Sequence, residues 1–119
     1  MSIRSAELEA KKSKHKQHRM GAVIVKGGRI ISFGHNKLRP SKELKTETIH
    51  AEEDAVLNAI KASGFQHLPG SKIYITRYTK GGKIGLSLPC SRCSALLSSV
   101  GVSRVYYTND DGNVSSIKL

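Results

Sequence analysis

The stretch TIHAEEDAVLNAI, residues 48–60, decides how this chain is read. Ala51, Ala55, Val56, Ala59 and Ile60 put small or aliphatic side chains around most of a helical circumference, which predicts a helix lying within a core. The helix is expected to run from about His50 to Ser63 and to stop at Gly64, with Thr46 or Thr48 as its cap. Its first turn nevertheless holds an imidazole, His50, and a carboxylate, Glu52. Polar groups at the start of a buried helix need partners. The candidate is LPCSRC, residues 88–93, which contains the only two cysteines.

The elements on either side follow closely. Residues 2–17 read as a helix with a thin inward seam of Ile3, Ala6, Ala10 and Ser13. Two β-branched runs, 22–25 and 29–33, are joined by Gly27-Gly28, a dipeptide suited to a tight hairpin. Residues 36–48 are polar, contain Pro40 and are read as a loop. SKIYITRY, residues 71–78, is the third strand, and TKGGKIGLSL, residues 79–88, a glycine-rich connection longer than usual. PCSRCSALLSSVG, residues 89–101, predicts a helix with Cys90 in its first turn, Leu96, Leu97 and Val100 inward, and Gly101 as its stop. The remainder reads as strand, Asp111-Gly112 turn, strand. This α-β-β-α-β-α-β-β order predicts one α/β domain over residues 1–119. Its expected form is a three-layer α/β/α sandwich around a five-stranded mixed sheet, with the last two strands antiparallel.

Composition narrows the function. At 119 residues one real core is attainable, and an aromatic share of 5% with no Trp makes it aliphatic. No apolar run approaches the roughly 20 residues of a membrane span, and the N-terminus lacks the apolar stretch of a secretory signal. The expected location is cytoplasmic, where a close cysteine pair reads as a metal or redox site. Twenty basic residues against nine acidic give a net charge of +11, which favours nucleotides or nucleic acids as partners. Solubility alone is the plainer reason for such charge.

Cys90 and Cys93, three apart, share a helix face, and His50 supplies a third donor from the neighbouring helix. Helix N-termini favour thiolates. One nitrogen and two sulfurs suit Zn²⁺ with one tetrahedral position left open, the mark of a catalytic centre. Glu52 then reaches the open side without being a ligand. The alternatives are a thioredoxin-like redox pair, for which the cysteines arrive late in the chain, and a structural zinc corner, which has no use for Glu52.

His50-Ala51-Glu52 followed by Pro89-Cys90-Ser91-Arg92-Cys93 reproduces the H-x-E…P-C-x-x-C pattern of zinc-dependent nucleobase deaminases. The chain resembles the cytidine deaminase-like superfamily over nearly its whole length, and within it the CMP/dCMP-type branch. That resemblance implies a cytidine deaminase-like fold, Zn²⁺ held by His50, Cys90 and Cys93, and Glu52 as the catalytic proton shuttle in hydrolysis of cytosine to uracil. It also implies substrate contacts from Asn36, in FGHN, and from the backbone of Ala51; an Asx turn is the plainer role for Asn36.

Histidine as first ligand resembles dCMP, tRNA adenosine and polynucleotide cytosine deaminases. The direct TNDDGNV connection, residues 108–114, resembles the nucleoside-type enzymes instead. A cytosine nucleotide such as dCMP or CMP is therefore the first reading, with Lys37, Arg39 or Lys42 at its phosphate. Single-stranded DNA or RNA, or tRNA adenosine, is the second, with Lys80 and Lys83 as added guides. A basic nucleic-acid-binding protein with a structural zinc site is the third. Small domains of this kind commonly associate, so a homo-oligomer remains among the expected partners.

Overall fold

Gly27 and Gly28, at φ 58° and 76°, close the hairpin that starts the sheet. The computed structural model describes residues 2–13, 18–39, 47–79 and 81–119. In chain order these form α1 (Ser2–Ala10), β1 (His18–Lys26), β2 (Arg29–His35), β3 (Lys37–Arg39), β4 (Glu47–Ile49), α2 (Ala51–Ser63), a 3₁₀ turn (Phe65–His67), β5 (Lys72–Thr79), β6 (Ile84–Gly85), α3 (Ser91–Ser99), β7 (Arg104–Thr108) and β8 (Val114–Lys118). The main sheet runs β2-β1-β5-β7-β8, with β6 as a short sixth strand on β5. Among the described residues only the β5–β7 pair is parallel; β7 and β8 are antiparallel, as the short connection requires.

Alternation along the strands separates the two faces. On one, Ala22, Ile24, Ile73, Ile75 and Val105 pack against Ala51, Ala55, Val56 and Ala59 of α2 and Leu97 of α3. On the other lies α1, with Ala6 and Ala10 fully buried and Thr76 Oγ1 donating to the Ile3 carbonyl at 3.4 Å. This is the expected three-layer order. Both helices on β1 and β2 sit against glycine: a Cβ on Gly21 would overlap the backbone of Ala6 and Ala10, and one on Gly34 that of Ala51 and Ala55. Among the described residues no helix is long and apolar enough to cross a membrane.

Several boundaries differ from the sequence reading. α1 ends at Ala10, where Lys12 and Ser13 donate to Glu9 and Ala10 in a tightening turn; residues 14–17, the end of the expected helix, lie outside the described residues. Ser13 stays buried as expected, but its hydroxyl donates to the Asn36 carbonyl and draws the chain off the helix axis. The first hairpin strands extend to residues 18–26 and 29–35, since pairing continues through polar positions. The loop assigned to 36–48 contains the antiparallel β3–β4 ladder; residues 40–46, with Pro40 and Lys42, lie outside the described residues. The cap of α2 is neither Thr46 nor Thr48. Thr48 belongs to β4, and His50, with extended backbone, is the cap.

Gly34→Ala should destabilise the fold by about 1–3 kcal/mol in urea unfolding, since the helix backbone must move away. Gly81→Ala, facing open space, should be close to neutral.

Candidate metal centre

Two helix starts converge on one point. His50 caps α2 and Cys90 caps α3, both with extended backbone, while Cys93 lies within the first turn of α3. Cys90 is thus one residue before the turn in which the sequence reading put it. His50 Nδ1 is 3.2 Å from Cys93 Sγ and 4.0 Å from Cys90 Sγ, and the three donor atoms lie within 4.8 Å of one another. Zinc bonds of about 2.0–2.3 Å in a tetrahedron require donor separations of about 3.5 Å, so the trio fits that ion with small adjustment.

Burial sets the electrostatics. Glu52 is 1% exposed, its Oε1 has no hydrogen-bond partner among the described residues, and desolvation raises its pKa above the usual carboxylate range. Cys93 is buried, and desolvation with the adjacent Glu52 charge pushes its thiol far up. A bare carboxylate and a buried thiol side by side are costly without a cation, whose charge reverses both effects. That orphaned oxygen and the nitrogen–sulfur donor set make the centre suitable for zinc.

Neighbouring side chains hold the helix starts in place. Ser87, buried just before Pro89, donates to the Ile75 carbonyl at 2.8 Å and accepts from the Thr108 N–H at 2.7 Å. This anchors the segment leading to Cys90 across the ends of β5 and β7. Arg92 meets Glu53 at 2.7 Å, joining α3 to α2, while Glu53 also accepts from the His50 N–H at 3.5 Å. Asp54 accepts from the His35 N–H at 3.1 Å and pairs with Lys37 at 3.0 Å. The acidic run Glu52-Glu53-Asp54 and the Arg between the cysteines are the sequence signals for these braces; the zinc-site spacing singles out Glu52 alone.

The expected substrate residues are placed unevenly. Ala51 is fully buried between His50 and Glu52. Asn36 is 4% exposed and its Oδ1 accepts from the Met20 N–H at 2.9 Å, so its amide oxygen ties β1 to the end of β2. Lys37 pairs with Ile49 across the β3–β4 ladder, which brings Asn36 and His50 to the same ladder end. The Lys37 ammonium is engaged by Asp54 rather than standing clear for a phosphate. Lys83 is exposed; Lys42, Lys80 and the Arg39 side chain lie outside what is described.

Zinc-ligand spacing on a three-layer α/β/α frame defines a metal-dependent deaminase-type domain. Residues 2–109 match the family described as cytidine and deoxycytidylate deaminase zinc-binding region, and the chain belongs to that family. Its cofactor is zinc, and His50, Cys90 and Cys93 are the donors grouped to hold it. The chain is 35% identical over 92 residues to a tRNA-specific adenosine deaminase of Agrobacterium fabrum, covering 77% of this chain and 52% of that protein. It therefore spans about half the length of that curated relative. It is similar to the dCMP deaminase of cyanophage S-TIM5 in apo form, with TM-score 0.71, 30% identity and coverage of 92% and 80% of the two chains. The same enzyme in complex with dCMP and dUMP gives TM-score 0.65, 26% identity and coverage of 91% and 78%.

Because the metal-free Cys93 thiol holds its proton so firmly, zinc binding should release at least that proton. Zinc affinity, measured by competition with a chelator of known pH behaviour, should fall at least about tenfold for each pH unit of acidification. Proton release at two pH values in calorimetry checks the same linkage.

Proposed function

We propose that the chain is a zinc-dependent hydrolytic deaminase that converts the cytosine base of a nucleotide, such as dCMP or CMP, to uracil. The observation that carries this reading is Glu52, a buried carboxylate with an unpartnered oxygen beside the His50, Cys90 and Cys93 donors. When bound there, Zn²⁺ supplies Lewis-acid activation of water, lowering its pKa toward ~7. Glu52 takes a proton from the attacking water at Oε1. It passes that proton to the ring nitrogen next to C4, then takes the proton of the new C4 hydroxyl and delivers it to the amino group, which leaves as ammonia while C4 becomes a carbonyl. A carboxylate suits this duty, since it can accept the proton from water and hold it between the two transfers. Ala51 leaves its backbone groups to the base edge, and Asn36 stands at the same ladder end to meet the sugar or base.

The nucleotide reading is supported by the likeness to the cyanophage enzyme; the direct antiparallel β7–β8 connection speaks against the tRNA reading. A second reading, deamination of tRNA adenosine, is favoured by the 35% identity to the Agrobacterium protein. Ammonia release from dCMP, cytidine, oligo-dC and tRNA separates the two. Turnover of dCMP above the rest is expected; turnover of tRNA alone would overturn the cytosine assignment.

Glu52→Gln should abolish ammonia release while retaining about one zinc per chain. Joint loss of zinc and activity would remove Glu52 from the shuttle role. The same variant carries a stability signature. A carboxylate whose folded pKa is raised costs stability above its unfolded pKa of about 4.5, the cost growing until pH passes the folded pKa. Metal-free Glu52→Gln should therefore melt above the metal-free parent at neutral pH, with the difference shrinking toward pH 4.

A further inference from the structure

α1 covers only part of its own sheet face: Val23 next to it is fully buried, whereas Tyr74 and Tyr106 further along are half-buried. Gly21 and Thr76 lie beneath it, and alternation puts Val23 and Tyr74 on the same side. Across that next row Phe33, Val23, Tyr74, Tyr106 and Ser116 stand opposite one another from β2 to β8. The Tyr74 and Tyr106 rings stack, with centroids 4.5 Å apart and planes inclined by 7°. Phe33 is 44% exposed, and Ser116 is also exposed.

The following row is basic. Lys72, Arg104 and Lys118 are direct cross-strand partners on β5, β7 and β8. Among the described residues none of the three forms an ion pair, although Arg104 donates to Ser116 Oγ at 3.2 Å. Like charges set directly opposite one another destabilise a sheet, so this row calls for an anion. Lys26 extends the charge, lining with Lys72 and Tyr74 a cavity of about 310 Å³ beside the β1–β2 turn.

We propose that this face binds single-stranded nucleic acid, with bases continuing the Tyr74–Tyr106 stack and phosphates lying along Lys72, Arg104 and Lys118. Each ring gives one face to its neighbour. Beyond Tyr106 stands the small Ser116 with the Arg104 guanidinium at its hydroxyl, so a base that continues the pile over β8 meets a planar cation rather than a bulky apolar side chain. Stacking is open to any unpaired base, whereas a duplex hides its base faces, so the surface selects single strands. A purely apolar partner would leave the three cations uncompensated. The face is opposite the one on which α2 and α3 carry the metal ligands, so the proposal stands apart from the deaminase reading.

The test is titration of the full zinc-loaded chain with an oligothymidylate and an oligouridylate of about 12 nucleotides. Anisotropy of the labelled strand and quenching of protein emission are both followed. The chain has four Tyr and no Trp, so its emission reports on tyrosine directly. Tyr106→Ala should weaken binding about tenfold and reduce quenching, with Tyr106→Phe close to the parent. Lys72→Glu with Arg104→Glu should weaken it further at low salt and flatten the log–log salt slope by about 0.7 for each phosphate no longer neutralised. Zinc content unchanged in each variant, and each variant still folded at the titration temperature, keep the metal centre out of the comparison. Binding that all these variants leave intact, or no binding by the parent, would overturn the proposal. So would a concentration-dependent dimer that Tyr106→Ala dissociates without strands present, since a second copy would then be the occupant.

Discussion

Everything at the metal centre depends on how closely α2 lies on the edge hairpin. Gly34 has no side chain, and Ala51 and Ala55 have short ones, so the helix rests with its backbone against β2. That contact fixes both the height and the rotation of the helix over the sheet. Rotation determines which way its first turn points, and the first turn carries His50 and Glu52. A helix held away by even one methyl group would carry His50 off its 3.2 Å approach to Cys93. The small residues of α2 are therefore as much a part of the site as the donors they position.

Three consecutive acidic residues at the start of α2 divide the remaining work by direction. Glu52 points into the core, where its Oε1 has no hydrogen-bond partner among the described residues and burial disfavours its charge. Glu53 faces α3 and pairs with Arg92, and Asp54 faces the end of β2 and pairs with Lys37. All three sit at the positive end of a helix dipole, which favours each of them modestly. One turn thus provides a buried carboxylate beside the donors and two braces, one toward each neighbouring element.

The fold was largely legible from periodicity and punctuation. The Gly27-Gly28 turn, the apolar circumference of α2 and the inward seam of α1 each have one physical solution, and the structure adopts it. The donor trio was legible for a related reason: two cysteines three apart and a histidine at a helix start have few other uses. Boundaries were less visible where side-chain bonds decide them. Ser13 leaves α1 for the Asn36 carbonyl, and nothing local to residue 13 announces a partner 23 positions away. Lys37 has the look of a phosphate ligand because its partner, Asp54, comes from another element. The tyrosine pair was hidden for the same reason, since Tyr74 and Tyr106 become neighbours only through the parallel β5–β7 register.

The position of the donors along the chain also bears on how the domain holds together. His50 and Cys90 are about 40 residues apart, and a metal joining them closes the chain between α2 and α3 into a loop. For a covalent cross-link of that length the lost unfolded-chain entropy is worth about 4 kcal/mol. β5, the strand that pairs with β1, β6 and β7, lies inside this loop. An ion held by His50 and Cys90 would act as a staple around the central strand of the sheet, giving a small domain without disulfides a cross-link between α2 and α3.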